Sequence, residues 1–266
     1  MTTLSDALGR ARREGRAALV GYLPAGFPDL AGSIRVIEAM VEGGCDVIEV
    51  GWPYSDPTMD GPVIQRAADR ALAAGTTPAD VIEVVRATAA TGAAALVMSY
   101  WNPIDRYGVD RFAADFAAAG GAGVITPDLI PEEAGDWLKA SDAADLDRIF
   151  LVAPSSTDER IGITVRACRG FVYAASLMGV TGTRAEVGAA AAGLVARTRA
   201  ATELPVCVGL GVSTGEQAAQ VAGYADGVIV GSAFCARVLD AGGVDSALPR
   251  VRELAAELAA GVRAGA

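Results

Sequence analysis

Two carboxylates flank the point where a short apolar stretch gives way to a turn-rich loop. Glu49 lies in the stretch 47–50 (VIEV), and Asp60 lies on the following loop, which leads into a helical pattern. A buried carboxylate without a partner carries a large desolvation cost or has a raised pKa. Glu49 is therefore a candidate general acid or base. An ion-paired glutamate with a structural role is the alternative that this stretch alone leaves open.

Two further aspartates stand at comparable positions. Asp128 follows a later apolar stretch in the segment 126–129 (TPDL), which makes it a third carboxylate at a strand end. Asp56 lies on the same loop as Asp60, but Ser-Asp-Pro is a common turn sequence. We interpret Asp56 as a turn or contact residue.

Three glycine-rich turns follow the last predicted strands. They span 178–184 (MGVTGTR), 209–213 (GLGVS) and 231–233 (GSA), and the third stands directly at a helix start. Glycine lets a ligand approach the backbone closely, and a helix N-terminus offers unpaired N–H donors and a favourable dipole. Late loops of this kind form the recurring phosphate site of (β/α)₈ barrels. Together the three turns predict phosphate binding.

A third group consists of apolar and aromatic residues at strand ends. Each of them alone is typical of a barrel core, but several at one open face could hold a flat apolar ring. The members of this group are Tyr22, Met98, Tyr100, Ile125, Val152 and Tyr173.

These residues require a scaffold that brings strand ends together. Eight apolar stretches alternate with helical patterns, and three internal stretches are nearly all apolar, as strands buried on both faces are. Eight such units in roughly 250 residues favour a closed (β/α)₈ TIM barrel. The predicted strands span 17–23, 47–50, 94–99, 123–126, 148–153, 171–176, 205–209 and 226–230. The predicted helices after the first strand span 29–42, 62–74, 78–90, 109–119, 131–141, 157–167, 184–201, 214–222, 232–239 and 244–260.

An extra helix precedes the first strand. It spans 4–15, and its apolar face could plug the bottom of the barrel; that face consists of Leu4, Ala7, Leu8 and Ala11. We expect a single TIM-barrel domain over 1–266. An open doubly wound sheet is the alternative, but it would more naturally have a glycine-rich turn after its first strand, where this chain has the segment 23–26 (LPAG).

The composition excludes several kinds of chemistry. The chain has 266 residues and no histidine, so His-containing triads and His-based zinc sites are excluded. Its one lysine, Lys139, lies in a polar helical pattern, which disfavours a Schiff base. We find no acidic or cysteine cluster with metal-site spacing and expect no metal. The net charge of −10 argues against nucleic acid and anionic membranes, although backbone N–H groups can still bind phosphate.

The remaining sequence features concern the environment of the protein. The four cysteines lie in or beside apolar runs without a CxxC pair, so we expect reduced, buried thiols; they are Cys45, Cys168, Cys207 and Cys235. The segment 1–15 has no apolar core of a signal peptide, and no apolar run reaches the ~18 residues of a membrane span. We expect a soluble, cytoplasmic protein.

Several motifs in a fixed order resemble one known family, the tryptophan synthase alpha chain. They are 49–57 (EVGWPYSDP) with 60–62 (DGP) and 64–65 (IQ), then 100–103 (YWNP), 127–129 (PDL), 179–182 (GVTG) and 209–213 (GLGVS). The resemblance runs from about Tyr22 to Ser232, which is almost the whole barrel. Trp52 and the pair 58–59 (TM) depart from the family pattern, in which smaller or aliphatic residues are commoner there.

The resemblance implies aldol cleavage of indole-3-glycerol phosphate to indole and glyceraldehyde 3-phosphate. It implies that Glu49 is the acid–base carboxylate, that Asp60 holds the indole N–H, and that Tyr173 supports the glycerol end. It assigns the phosphate to Gly182, Leu210, Gly211, Gly231 and Ser232, loop closure to Thr181, and the indole slot to Tyr22, Met98, Ile125 and Val152. It also implies a beta-chain partner in an alpha2beta2 tetramer, with pyridoxal phosphate in that partner and no cofactor in this chain.

Three alternatives remain at this point. The first is another phosphate-binding barrel enzyme. Indole-glycerol-phosphate synthase would have a lysine at a strand end, which this chain lacks. A phosphoribosyl isomerase would have a carboxylate at the end of strand one, where this chain has the segment 22–24 (YLP). A second alternative is a lyase that works alone and releases indole. The third is a non-catalytic subunit that activates a partner, against which the two carboxylates argue.

Overall fold

A computed structural model describes residues 2–175, 184–209 and 211–265 of the chain. Within these ranges nine strands lie parallel in one sheet. They are β1 (Ala18–Pro24), β2 (Val47–Gly51), β3 (Ala94–Met98), β4 (Gly121–Ile125), β5 (Asp147–Ile149), β6 (Leu151–Val152), β7 (Val172–Ala175), β8 (Val206–Gly209) and β9 (Gly227–Val230). Their order is β5-β4-β3-β2-β1-β9-β8-β7-β6.

The two ends of this order are joined in the chain itself. Strand β5 pairs with β4, whereas β6 pairs with β7, and only Phe150 separates β5 from β6. The sheet is therefore a nearly closed barrel, and the predicted (β/α)₈ fold is confirmed over the open sheet. The predicted fifth strand, 148–153, is divided because its backbone changes pairing partner at Phe150, whose side chain is buried toward the helices.

The described helices surround the barrel. They are α1 (Leu4–Arg13), α2 (Leu30–Gly43), α3 (Pro62–Ala73), α4 (Pro78–Ala90), α5 (Trp101–Tyr107), α6 (Val109–Ala118), α7 (Gly135–Ala143), α8 (Asp158–Ala167), α9 (Arg184–Arg199), α10 (Gly215–Ala222), α11 (Ser232–Leu239) and α12 (Val244–Ala264). None of the helices in these described ranges is both long and apolar enough to cross a membrane.

Two helical regions differ from the sequence prediction. The pattern did not predict α5, which carries Pro103 in its first turn, where the missing N–H breaks no intrahelical hydrogen bond. Its first N–H, from Trp101, donates to Oδ1 of Asp128 at 2.8 Å, a contact between separate loops that the sequence cannot reveal. The helix predicted over 131–141 is a 3₁₀ turn over Pro131–Glu133 followed by α7.

The N-terminal helix closes the bottom of the barrel, as predicted. Thr3 and Asp6 form a capping box at its start, which leaves its apolar face free to pack. That face consists of Leu4, Ala7, Leu8 and Ala11, all buried in one cluster with inward-facing strand residues such as Val20 and Leu96. The other end of the barrel, at the carboxyl ends of the strands, is the end left open for a ligand.

The layer between strands and helices holds most of the buried apolar side chains. Strand β2 illustrates the division, since Val47 faces the barrel interior whereas Ile48 and Val50 face the helices. The four cysteines are buried free thiols, as expected from their apolar surroundings.

Candidate active site

A cavity of about 300 Å³ lies at the carboxyl ends of the strands. Its lining combines carboxylates, aromatic rings, apolar side chains and glycines from several strand ends and loops. Eight of the residues predicted from the sequence line it, namely Tyr22, Glu49, Asp60, Met98, Tyr173, Gly211, Gly231 and Ser232. The tertiary structure thus brings two of the predicted carboxylates, half of the apolar and aromatic group and part of the phosphate group to one place.

Glu49 points into this cavity because it has the same strand parity as Val47. Its neighbours in the sheet are Tyr22 on β1 and Leu96 on β3. The Glu49 side chain is only 1% exposed, and among the described residues its Oε1 has no hydrogen-bond partner. Burial raises the pKa of Glu49 from 4.5 to about 8, because desolvation penalises the charged form. Glu49 is therefore largely protonated at neutral pH and can act as an acid.

Asp60 lies on the loop between β2 and α3 and is only partly buried. Burial raises the pKa of Asp60, while the nearby Tyr100 hydroxyl opposes that rise. The main-chain carbonyl of Asp60 also accepts a hydrogen bond from Nε2 of Gln65 at 2.7 Å, which ties the loop to the start of α3. The cavity thus contains two carboxylates in different environments, the arrangement that lets one act as an acid and the other remain charged.

Two tyrosine rings lie flat against glycines at neighbouring strand ends. A Cβ added at Gly51 would collide with the hydroxyl and ring of Tyr22, and one added at Gly209 would collide with the hydroxyl and ring of Tyr173. Burial raises the pKa of Tyr173 well above its usual value, and the nearby charge of Glu49 adds to that rise. Both phenols are therefore neutral, so each hydroxyl can donate a hydrogen bond in the cavity.

Another part of the cavity lining is suited to an anion. Gly231 is the N-cap of α11 and offers no side-chain oxygen, and Ser232 is the first residue of that helix. The first N–H groups of an α-helix have no intrahelical acceptor, so they are available to a ligand. Gly211 has a φ of +65°, a conformation that favours glycine, at the turn after β8. Thr181, Gly182 and Leu210 lie outside the described residues.

Three predicted substrate contacts are placed elsewhere. Ile125 is fully buried inside the barrel, Val152 is buried in the layer toward the helices, and Tyr100 is buried beside the loop that carries Asp60. None of these three side chains lines the cavity. On the strand that carries Val152, the cavity is lined by Leu151 and Ala153, its immediate neighbours.

Other lining residues were not named individually as substrate contacts, although Gly209 among them belongs to the predicted phosphate-binding turn 209–213. They are Thr58, Met59, Gly61, Ile64, Leu151, Ala153, Ala175, Gly209 and Ile229. Strict alternation would have found the strand residues among them, because each lies an even number of positions from an inward-facing residue of its strand. These residues are Leu151, Ala153, Ala175, Gly209 and Ile229. Ile64 has no comparable signal, since it reaches the cavity from the first turn of α3.

The third predicted carboxylate and the single lysine lie outside the cavity. Asp128 is exposed and accepts the Trp101 N–H, so it positions α5. Lys139 is exposed on α7 and pairs with Asp136 at 3.6 Å. Among the described residues, no group of three or more histidine, cysteine or acidic side chains could hold a metal ion.

A larger recess of about 790 Å³ lies at the opposite end of the barrel, against α1 and the amino ends of β8 and β9. Charged side chains on its wall pair with each other, as Arg199 does with Asp226 at 3.0 Å. Among the described residues its lining has an unpartnered phenol, Tyr224, but no unpartnered buried carboxylate like Glu49, so the smaller cavity is the candidate active site.

Comparison with known proteins identifies the family of this barrel. The family model of the tryptophan synthase alpha chain matches residues 8–263. The chain belongs to the tryptophan synthase alpha chain family. The tryptophan synthase alpha chain of Thermobifida fusca is 74% identical to it over the full length of both chains. That of Acidothermus cellulolyticus is 65% identical over 99% of this chain and 98% of the relative.

Solved structures agree with this assignment. A chain in the open form of tryptophan synthase from M. tuberculosis, with BRD0059 bound, is 54% identical and superposes with a TM-score of 0.90, covering 99% of this chain and all of the other. The resemblance inferred from the sequence is therefore confirmed. As a tryptophan synthase alpha chain, the protein is a lyase of tryptophan biosynthesis, which excludes the other barrel enzymes.

Trp52, which departs from the pattern expected for a tryptophan synthase alpha chain, has a packing role. Its ring lies 5.6 Å from that of Phe112 and 6.1 Å from that of Tyr107. Its main-chain N–H donates to the carbonyl of Met98 at 2.9 Å. The side chain of Trp52 therefore packs against α5 and α6, outside the cavity, and holds the start of the loop that leads to Asp60.

Proposed function

We propose that Glu49 and Asp60 divide the cleavage of indole-3-glycerol phosphate to indole and glyceraldehyde 3-phosphate between them. Glu49 is the acid–base group, and Asp60 stabilises positive charge on the indole ring. The observation that carries this proposal is the unpartnered, buried Glu49 oxygen in the same cavity as a more exposed carboxylate. Environments that push two carboxyl pKa values apart are the usual basis of such a division.

The phosphate and the indole ring of the substrate would bind different parts of the cavity lining. The phosphate would bind the backbone N–H groups at Gly211, Gly231 and Ser232, where the dipole of α11 favours negative charge. The indole ring would lie between apolar side chains, with Met98 and Leu151 on the strand ends. Gly182 and Leu210 would add backbone donors to the phosphate, and Thr181 would close the later loop over the substrate.

The reaction would begin with a proton from Glu49. The neutral carboxyl group donates this proton to the ring carbon that bears the glycerol side chain, and positive charge then develops on the ring nitrogen. The Asp60 carboxylate accepts the N–H hydrogen bond and stabilises that charge. Asp60 must therefore be ionised while Glu49 is protonated, which suits the partly exposed position of Asp60 and the nearly complete burial of Glu49.

Carbon–carbon cleavage would follow from the second proton transfer. Glu49, now a carboxylate, removes the proton from the hydroxyl on the adjacent glycerol carbon. The bond between this carbon and the ring breaks, its electron pair returns to the ring and neutralises the nitrogen, and the glycerol carbon becomes the aldehyde. Glu49 ends protonated, as it began, and the Tyr173 hydroxyl can hydrogen-bond the glycerol end.

The chain would work with a beta chain in an alpha2beta2 tetramer, to which indole passes. Among the described residues, the two large apolar side chains with the greatest exposure are Met59 at 46% and Ile130 at 43%, both on loops at the cavity end of the barrel. Pyridoxal phosphate would belong to the beta chain, because the only lysine here, Lys139, is exposed on α7 and outside the cavity.

The test is indole release from indole-3-glycerol phosphate by the purified chain, with and without a beta chain. We expect slow release that rises strongly with the partner, and fast release without it would instead favour a stand-alone lyase. Glu49→Gln and Asp60→Asn should each lower kcat at least roughly 100-fold with the fold intact. Glu253→Gln, which changes an exposed carboxylate on α12, should retain the wild-type rate. Wild-type turnover by a folded Glu49→Gln chain would contradict the assignment.

A further inference from the structure

The hydroxyl of Tyr100 forms hydrogen bonds with the loop that carries Asp60. Its hydroxyl oxygen accepts the main-chain N–H of Thr58 at 3.1 Å and that of Met59 at 2.9 Å. These two residues immediately precede Asp60 in the chain. One side chain at the end of β3 thus holds the backbone that places a carboxylate in the cavity.

The hydroxyl of Tyr100 also influences the protonation of the Asp60 carboxylate. A phenol has one proton to donate and two lone pairs, and the two main-chain N–H groups occupy the lone pairs. The proton is not used by these two contacts, and the nearby phenol lowers the pKa of Asp60 against the effect of burial. Burial raises the pKa of Tyr100, so the phenol keeps its proton at neutral pH.

Tyr100 is fixed by neighbours on both sides. Its ring packs against that of Tyr54 with centroids 5.3 Å apart, and Asn102 donates to the Tyr54 hydroxyl at 3.3 Å. The next residue, Trp101, is held by its N–H bond to Asp128. The loops after β2, β3 and β4 are therefore linked around one buried phenol.

We propose that Tyr100 is a positioning residue, whose hydroxyl holds the segment 58–60 so that Asp60 faces the ring nitrogen of the substrate. This inference rests on the proposed function, because Asp60 must stabilise the charged ring for its position to matter. It replaces the expected role of Tyr100 as a lining residue of the substrate site. A phenol that only packed the loop would influence stability but would leave the protonation of Asp60 unchanged.

The test is the pH dependence of kcat/KM for Tyr100→Phe, measured with indole-3-glycerol phosphate and the beta chain from about pH 4.5 to 9. Loss of the phenol, which lowers the pKa of Asp60, should move the acidic limb, which reports Asp60, up by about 1 pH unit. The basic limb, which reports Glu49, should stay in place. At pH 7, kcat should fall roughly tenfold, and KM should change less, because the charge that Asp60 stabilises develops during the reaction.

The matched control is Tyr107→Phe. It removes a phenol that donates to a carboxylate, at 2.6 Å to Asp115, but Tyr107 does not line the cavity. Both limbs of its pH profile should match the wild type. Circular dichroism confirms that each variant is folded.

A double substitution provides a second measurement. In an Asp60→Asn background, Tyr100→Phe should change kcat/KM less than about twofold, because the group on which Tyr100 acts is already altered. An unshifted acidic limb in folded Tyr100→Phe, or a full additive loss in the double variant, would overturn the inference about Tyr100. An inactive wild-type chain would instead contradict the proposed function.

Discussion

The ionisation of Glu49 should be measurable as a pH dependence of stability, without any substrate. Glu49 is 1% exposed, and burial raises its pKa from 4.5 to about 8. Glu49→Gln keeps the shape of the side chain but removes its ionisation. The comparison of the two chains therefore isolates the cost of charging this carboxyl group inside the barrel.

The magnitude follows from proton linkage. In this pH range the folded chain binds the Glu49 proton more tightly than the unfolded chain does. The contribution of Glu49 to the free energy of unfolding is therefore highest below about pH 4.5, and it falls as the pH rises to about 8. At about 1.4 kcal/mol per pH unit, the fall between pH 5 and 8 is roughly 3 to 4 kcal/mol. Glu49→Gln lacks this component.

Urea denaturation at pH 5, 6.5 and 8 measures the effect. The stability difference between Glu49→Gln and wild type should move in favour of the variant by those roughly 3 to 4 kcal/mol between pH 5 and 8. Glu253→Gln, at an exposed position of α12, should run parallel to the wild type. Parallel curves for Glu49→Gln as well would show that Glu49 is charged in the folded chain, and the reasoning that makes it the initial proton donor would fail.

Two further sets of variants separate the stability of the barrel from its chemistry. Arg16→Gln should lower the free energy of unfolding, measured by urea denaturation, by about 3–5 kcal/mol, because Asp46 stays buried after the loss of a pair at 2.6 Å in which both side chains are 6% exposed. Arg35→Gln, in an exposed pair, should lower it by less than about 1 kcal/mol. Equal losses in the two variants would contradict this prediction. Leu151→Ala should raise KM roughly tenfold in steady-state kinetics, because Leu151 lines the cavity. Val152→Ala should leave KM unchanged and lower the free energy of unfolding by about 2 kcal/mol, measured by denaturation. If the two effects were exchanged, the facing of these two residues would be the reverse of that described here.

The order of elements could be predicted from the sequence because it depends on local patterns. Apolar β-stretches separated by helical periodicity indicated the barrel, and the apolar face of the segment 4–15 indicated the plug at its base. Glu49 could also be recognised as a candidate acid–base group, but the stretch alone left an ion-paired structural role open, and only the structure places its Oε1 without a hydrogen-bond partner among the described residues. Glycine at a helix start, as at Gly231, similarly indicated an anion site.

Only the tertiary structure shows which face of the sheet each strand side chain occupies. Val152 was predicted to line the substrate site, but the strand divides at Phe150, and Leu151 has the inward parity. A shift of one residue along a strand exchanges the two faces of the sheet, so an apolar run alone leaves the direction undetermined.

Contacts between loops were the other feature beyond the reach of the sequence. The Trp101 N–H finds Asp128, and the Tyr100 hydroxyl finds the backbone at Thr58 and Met59, because barrel closure places successive loops side by side. The sequence by itself determined the fold and the types of residue available for chemistry. Only the tertiary structure decided which side chains share the cavity and which hold them in place, because these relations depend on strand register and on packing between segments distant in the chain.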